Sequence, residues 1–287
     1  MRRCLAAVVA VLAALPVAGC TAATSDLTDD WPMIAGAQPF RPATGVCHEQ
    51  LETTGSADTY QPVSCTELHI SETFHIGTAQ EAPVVPGVGS APARQAYAEC
   101  AAKAAGYLGG PWRDARIGVH VIWPSAKGWS GGSRWFRCDV TEADLGTQDD
   151  TSRTGSLAGA LKGASPLRLG CFNPSVSEDD VRTMTAVACT ATHRAEYVGL
   201  WTAPDIPYAQ QTADRTRTAA GCRSAIAEFA GVPDNADMQY RSGWISYNPS
   251  RTEWQLGERR VRCFLWFSDR TLKRSLKGAG PAALPVH

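Results

Sequence analysis

The stretch Val63-Ser-Cys65-Thr-Glu-Leu-His69-Ile-Ser-Glu72 recurs as Val187-Ala-Cys189-Thr-Ala-Thr-His193-Arg-Ala-Glu196. The cysteines around it recur as well. Cys47, Cys65, Cys100 and Cys138 are separated by 18, 35 and 38 positions, and Cys171, Cys189, Cys222 and Cys263 by 18, 33 and 41. A chain that repeats both a motif and a cysteine framework is expected to fold as two copies of one small cross-linked unit. With 287 residues, 44% of them hydrophobic, there is apolar side chain enough for two domains with cores of their own.

The N-terminus sets the expected compartment. Arg2 and Arg3 precede the apolar run Leu5 to Ala18, which is too short to span a bilayer comfortably and ends in Val17-Ala18-Gly19-Cys20. This pattern resembles a bacterial lipobox, in which a leader (1–19) is removed and Cys20 carries diacylglycerol. Cys4 leaves with the leader. Eight cysteines then remain, an even number suited to disulfides in an oxidising compartment. The expected location is the extracytoplasmic face of the cytoplasmic membrane, with the lipid anchor as the membrane contact. The formal charge of the chain is -1, and -3 once Arg2 and Arg3 are gone. No broad positive field attracts phosphate backbones, so nucleic acid is not an expected partner.

Residues 20–44 read as a tether, with Ile34 and Phe40 expected to touch the first domain. The repeats are read as 45–163 and 170–278, followed by a loose tail, 279–287. In each repeat a polar, turn-rich segment follows the first cysteine. Strands are expected at 73–76 and 197–201, where aromatic and β-branched residues gather. Tyr97, Cys100, Ala101, Ala104 and Leu108 recur at helical spacing between a Ser90 cap and a Gly109 stop. Ala219, Cys222, Ala225, Ile226 and Phe229 do the same before Gly231. Each unit closes with a hairpin turning at Pro124-Ser125 or Pro249-Ser250, then with Leu161-Lys-Gly163 or Leu276-Lys-Gly278; residues 141–156 read as a polar connector. The fold class expected is α+β: two tandem homologous domains, each a small, mostly antiparallel sheet with one packed helix and two disulfides.

Bridges confined to each repeat leave three arrangements per copy. Neighbouring strands favour Cys47–Cys65 and Cys171–Cys189, and a helix packed on a sheet favours Cys100–Cys138 and Cys222–Cys263. First-to-fourth with second-to-third is the competing arrangement. Closing an 18-residue loop stabilises a fold by about 3 kcal/mol in the chain-entropy picture.

Taken together, the lipobox leader, Gly-Val-Cys47 or Gly-Cys171-Phe-Asn, Val-x-Cys-Thr-x-x-His-x-x-Glu, the helical cysteine, Trp-x-x-Gly-x-Arg-x-x-Arg-Cys and a closing Ser-Leu-Lys-Gly resemble the septum-formation domain family of actinobacterial exported and membrane proteins. The match is closer in 170–278 than in 45–163, which departs at Gly-Val-Cys47-His48. The resemblance implies an extracytoplasmic domain associated with cell division, with envelope or division proteins as partners, and it brings no catalytic residues with it.

The titratable candidates are His69 with Glu72 and His193 with Glu196. On a helix this spacing would place imidazole and carboxylate on one face, as a metal or acid/base pair requires. On a strand it sends them to opposite faces. The strand reading makes each His a turn cap and each Glu the partner of a nearby arginine, with no metal and no cofactor. The alternative is a metal-dependent hydrolase of envelope material. Gly128-Trp-Ser130-Gly-Gly132 spells a nucleophile elbow, but a strand follows it and the second repeat has no such serine, so a turn is expected. Trp129 and Trp254, near the hairpin tips, are the candidate exposed binding residues. Arg134, Arg137, Arg259 and Arg262 are expected at solvent-facing strand positions. The reading favoured is a non-enzymatic binding or scaffolding protein, with a small-ligand sensor built on the cleft between copies as a further alternative.

Overall fold

The computed structural model describes residues 39–79, 82–178 and 180–287. The leader, Cys20, Ile34 and the tether up to residue 38 lie outside the described residues. Within them the fold is α+β, with two mostly antiparallel sheets, five α-helices and four disulfides.

The first half runs β1 (Val46–His48), β2 (Thr54–Gly55), β3 (Ser71–Thr78), α1 (Ala91–Leu108), β4 (Ile117–Pro124), α2 (Ala126–Ser130), β5 (Trp135–Ala143) and β6 (Asp150–Thr151). Its sheet order is β1-β3-β5-β4-β2, with β6 on β5 and only the β2–β4 pairing parallel. Helix α1 starts where the Ser90 side chain accepts from the Ala93 amide and stops at Gly109, whose φ of 77° is left-handed. Cys100, Ala104 and Leu108, one turn apart, are buried against Ile117, Val119, Cys138 and Val140. Period-two alternation then turns Arg137, Asp139 and Thr141 to the opposite face of β5, and all three are fully buried there.

The second half runs β7 (Cys171–Ser177), β8 (Asp180–Val187), β9 (Ala195–Thr202), α3 (Tyr208–Ala213), α4 (Arg215–Ala230), β10 (Gly243–Tyr247), α5 (Arg251–Gln255) and β11 (Arg260–Trp266), in the sheet order β10-β11-β9-β7-β8. The path β7-β9-β11-β10 matches β1-β3-β5-β4. Helix α4 is capped by Asp214 and stopped by Gly231 at φ 69°, and it covers Val261, Cys263 and Leu265. The disulfides join Cys47 to Cys65, Cys100 to Cys138, Cys171 to Cys189 and Cys222 to Cys263, with Cα separations of 5.1, 5.4, 5.1 and 5.3 Å. These lie in the ordinary range for a bridge.

Several local expectations give way. The turn-rich segment after Cys171 is the β7–β8 hairpin. Residues 141–156 are no mere connector: β5 runs to Ala143, β6 pairs with its end, and Leu145 is buried beside Phe172 and Phe264 of the second half. The hairpin tips are the short helices α2 and α5, because Ser125 and Ser250 accept amides of their first turns. The closing segment of the chain is not loose, since Leu284 is fully buried with Leu272 and Leu276, and its carbonyl accepts from Arg241. Phe40 meets the first half edge-on at Trp135, whose indole nitrogen donates to the Phe40 carbonyl. No helix among the described residues is long and apolar enough to cross a membrane.

Candidate functional site

The repeated His-x-x-Glu pairs serve to close each half. His69 pairs with Arg153 through both main-chain groups, at 2.9 and 2.8 Å, and His193 pairs with Leu272 at 3.0 and 2.8 Å. Each imidazole Nδ1 lies 2.8 Å from a carbonyl two residues back, Glu67 or Ala191. A carbonyl only accepts, so Nδ1 donates; this is the turn cap expected. The glutamates are not arginine partners. Glu72 accepts from Tyr107 and Ser156 hydroxyls at 2.5 Å and from the Leu157 amide at 2.6 Å, and Glu196 accepts from the Leu276 amide at 2.9 Å. A buried carboxylate needs such donors; the closing segments supply them, together with the Tyr107 hydroxyl of α1. The counterpart of Ser275-Leu276-Lys277-Gly278 is therefore Ser156-Leu157-Ala158-Gly159 rather than the Leu161-Lys-Gly163 expected. Gly159 and Gly278 bond Tyr107 and Phe229 carbonyls at 2.8 Å alike.

His69, Glu72, His193 and Glu196 are all at most 2% exposed. Among the described residues, the His, Cys, Asp and Glu groups close enough to share an ion are Cys47, Cys65 and Glu72, and Cys171, Cys189 and Glu196. Neither contains a histidine, and the sulfurs are spent in disulfides.

Trp129 and Trp254 are buried, 2% and 3% exposed, which removes them as surface anchors. Their indoles donate to the Ala82 and Ile206 carbonyls at 2.8 Å. Arg134 and Arg259 lie over the two rings at 4.5 and 4.2 Å and donate to the main-chain oxygen of the same tryptophans. The spacing of Trp and Arg before each last cysteine is thus a packing unit. Arg137 and Arg262 do not face solvent either. Arg137 is fully buried against Asp139 and Glu52, at 2.7 and 2.8 Å, and Arg262 crosses to the first half to donate to the Arg113 and Ile117 carbonyls. Ser130 ends α2 and is exposed, with β5 following, so the elbow geometry is missing.

A cavity of about 640 Å³ lies between the halves. One wall is β4 from Ile117 to Trp123, with Trp112; the facing wall carries Leu200, Tyr247 and Leu256. The halves are clamped beside it. Arg113 meets the Glu258 carboxylate at 2.5 Å, Tyr97 donates to the same group, and the Tyr197 hydroxyl donates to Asp114 at 2.6 Å. Burial would raise the Glu258 carboxyl, but hydrogen bonds from Arg260 and Arg113 outweigh it and hold it below the usual range. Burial, then the Asp114 carboxylate, pushes the Tyr197 phenol well up.

His120 and Asp150 also line the cavity. A single imidazole nitrogen, Nε2, faces both Thr141 at 3.0 Å and Asp150 at 3.5 Å, and Thr141 is fully buried. A relay needs base and orienting acid on different nitrogens and an accessible nucleophile, so this cluster is a structural knot. Burial would raise the Asp150 carboxyl too, yet His120 and Thr141 hold it down. The cavity lining combines apolar side chains such as Ile117, Val119, Leu200 and Leu256 with charged ones, among them the paired Arg113 and Glu258.

The shared His and Glu residues are buried and bonded within their own halves, whereas the cavity is lined by residues that differ at matching register, such as His120 against Ile245 and Ile122 against Tyr247. A signal was present in those mismatches, but without the strand register it could not be read.

No curated protein and no solved structure matches the chain. The family described as septum formation matches residues 44–263 in one stretch that passes through both halves. That stretch is more than three quarters of the 287 residues, and the chain belongs to the septum-formation family.

Proposed function

We propose that this protein is a lipid-anchored, non-enzymatic binding or scaffolding protein of the cell envelope that acts in septum formation, and that its halves are copies of one domain. The observation that carries the reading is the use made of the shared titratable residues. Both His-x-x-Glu pairs are buried and spent on closing their own halves, while the cavity between the halves has one histidine in its lining, His120, whose ring faces the fully buried Thr141 hydroxyl. The duplication reading draws on the common strand path and the matched disulfides. A small ligand in the cleft is the second reading, favoured by a volume within the range of small-molecule sites.

The test uses a photo-crosslinking residue at Thr252, on the cleft wall, and at exposed Lys273, which lies in the closing segment away from it. In dividing cells, Thr252 should capture one envelope protein that Lys273 does not, and depletion of the protein should delay septa. Capture at neither position, or depletion without a division defect, sinks the proposal. Cys20→Ser should release the protein from the membrane fraction; continued pelleting would remove the anchor from the reading.

A further inference from the structure

We infer that the cleft takes a polypeptide segment in extended conformation, which pairs with the outer edge of β4; this rests on the binding reading above and names the class of partner. Strand β4 has β5 on one side, and on the other only β2, which reaches Trp123 and Pro124 and no further. The direction of its main-chain groups follows from two bonds. The Arg116 carbonyl accepts from Ala143 of β5 at 3.1 Å, and the next carbonyl, of Ile117, accepts from Arg262 across the cleft. Alternation in an antiparallel pair then turns the N–H and C=O of Ile117, Val119 and Val121 away from β5.

Arg262 uses the Ile117 carbonyl and β2 covers the far end. Among the described residues no strand pairs with Val119 or Val121 on that side. Their four main-chain groups open onto the cavity, of which every residue from Ile117 to Trp123 is wall. Sheet edges left open in this way are templates for another strand unless charge, proline or a bulge blunts them. None of these devices stands between Ile117 and Ile122. The open edge from Gly118 to Ile122 is roughly 17 Å long at strand rise, room for about five residues of a partner.

A second observation points the same way. Tyr247, 8% exposed, belongs to the wall of this cavity and of a neighbouring one of about 480 Å³, and its hydroxyl has no hydrogen-bond partner. The two cavities share Gln148, Tyr247 and Asn248, so a groove continues from the β4 edge to the wall formed by β10. A main chain laid along β4 supplies amide and carbonyl groups where the protein leaves its own unmatched, which is how strand addition works elsewhere. The lining holds Glu52, which Arg137 pairs, and Asp144, Asp150, Glu253 and Glu258 against Arg113, Arg260 and Arg262, which favours neutral or basic side chains over acidic ones.

The experiment selects binders to the full chain from a displayed random library of L-octapeptides. Binding of the enriched peptides is then compared in wild type and Val121→Pro, which removes an edge N–H that β5 does not use. At least tenfold weaker binding to the variant is expected. In wild type, the peptides should slow amide exchange at Val119 and Val121 at least tenfold, a readout that stands even if the variant fails to fold. Equal binding to both proteins, unprotected β4 amides or an empty selection overturns the inference. So does a concentration-dependent dimer that protects the same amides without peptide, because it assigns the edge to a second copy. Peptides that bind in the cleft without touching β4 would refute the strand pairing and leave the binding reading standing, whereas the crosslinks at Thr252 test that reading directly.

Discussion

The two halves share a strand path and a pair of bridges, and they differ in what fills the sheet face turned away from the helix. In the first half that face carries His48, Thr73, Asp139 and His120; at the same register the second half has Phe172, Tyr197, Phe264 and Ile245. The first set is polar: Thr73 bonds Asp139 at 2.8 Å and His48 bonds Thr73 at 3.0 Å, with Arg137 closing that network, while His120 bonds Thr141 beside it. The second set is an aromatic cluster centred on Phe264. A covalent and capped framework therefore tolerates exchange of one filling for the other. The apolar face is also the one that receives Leu145 from the first half, and its Tyr197 and Arg262 reach back across. Apolar burial there joins the halves, while the first half satisfies its own face internally.

The comparison breaks most readily at the arginines. Arg137→Met strips a cation from fully buried Asp139 and from Glu52, so a loss of about 3–5 kcal/mol is expected in urea unfolding. Arg262→Met, at the matching position, leaves only two carbonyls short of a donor, with an expected loss of about 1–3 kcal/mol. Equal losses would mean that the polar network of the first half is no more demanding than the contacts of the second.

A pH series sharpens the same contrast. Burial, then the Arg137 cation, holds the His48 imidazole at about 4 against the ordinary 6.5, with Asp139 opposing. The unfolded chain therefore takes this proton first. The contribution is fully present above pH 6.5 and is lost as pH falls from 6.5 toward 4, by about 3 kcal/mol in all. His48→Phe, which copies Phe172, should flatten that part of the profile; an unchanged slope would place the acid sensitivity elsewhere.

The smallest difference concerns the glutamates. Glu72 receives three hydrogen bonds and Glu196 one from Leu276. Glu72→Gln should cost about 2–3 kcal/mol and Glu196→Gln about 1 kcal/mol. Thermal midpoints that fall in the reverse order would show that the closing segment of the second half depends on its carboxylate more than its bonds indicate.

Much of the framework was legible in the chain. Ser90, Gly109 and Gly231 mark helix ends because capping chemistry and left-handed φ are local properties. The cysteine spacing left three pairings open in each half, and the structure joins Cys47 to Cys65, Cys100 to Cys138, Cys171 to Cys189 and Cys222 to Cys263. A place near a hairpin tip suggests exposure for Trp129 and Trp254, but each tip is a helical turn that folds its indole inward under an arginine. Nearness in sequence points the glutamates at arginines, but their donors are the Tyr107 hydroxyl of α1 and a segment 80 or more positions further along the chain.

By itself the sequence determined what depends on neighbours along the chain: the caps and stops, the strand alternation and the matched spacing of the cysteines. Only the tertiary structure decided which buried charges meet, how the halves clamp through Glu258 and Asp114, and that the edge of β4 opens onto a cavity. Those depend on distances between residues far apart in the chain, which local propensity does not encode. The difference between Asp139 and Phe264 is visible in the sequence as two letters, but its meaning comes from the face on which each side chain is packed.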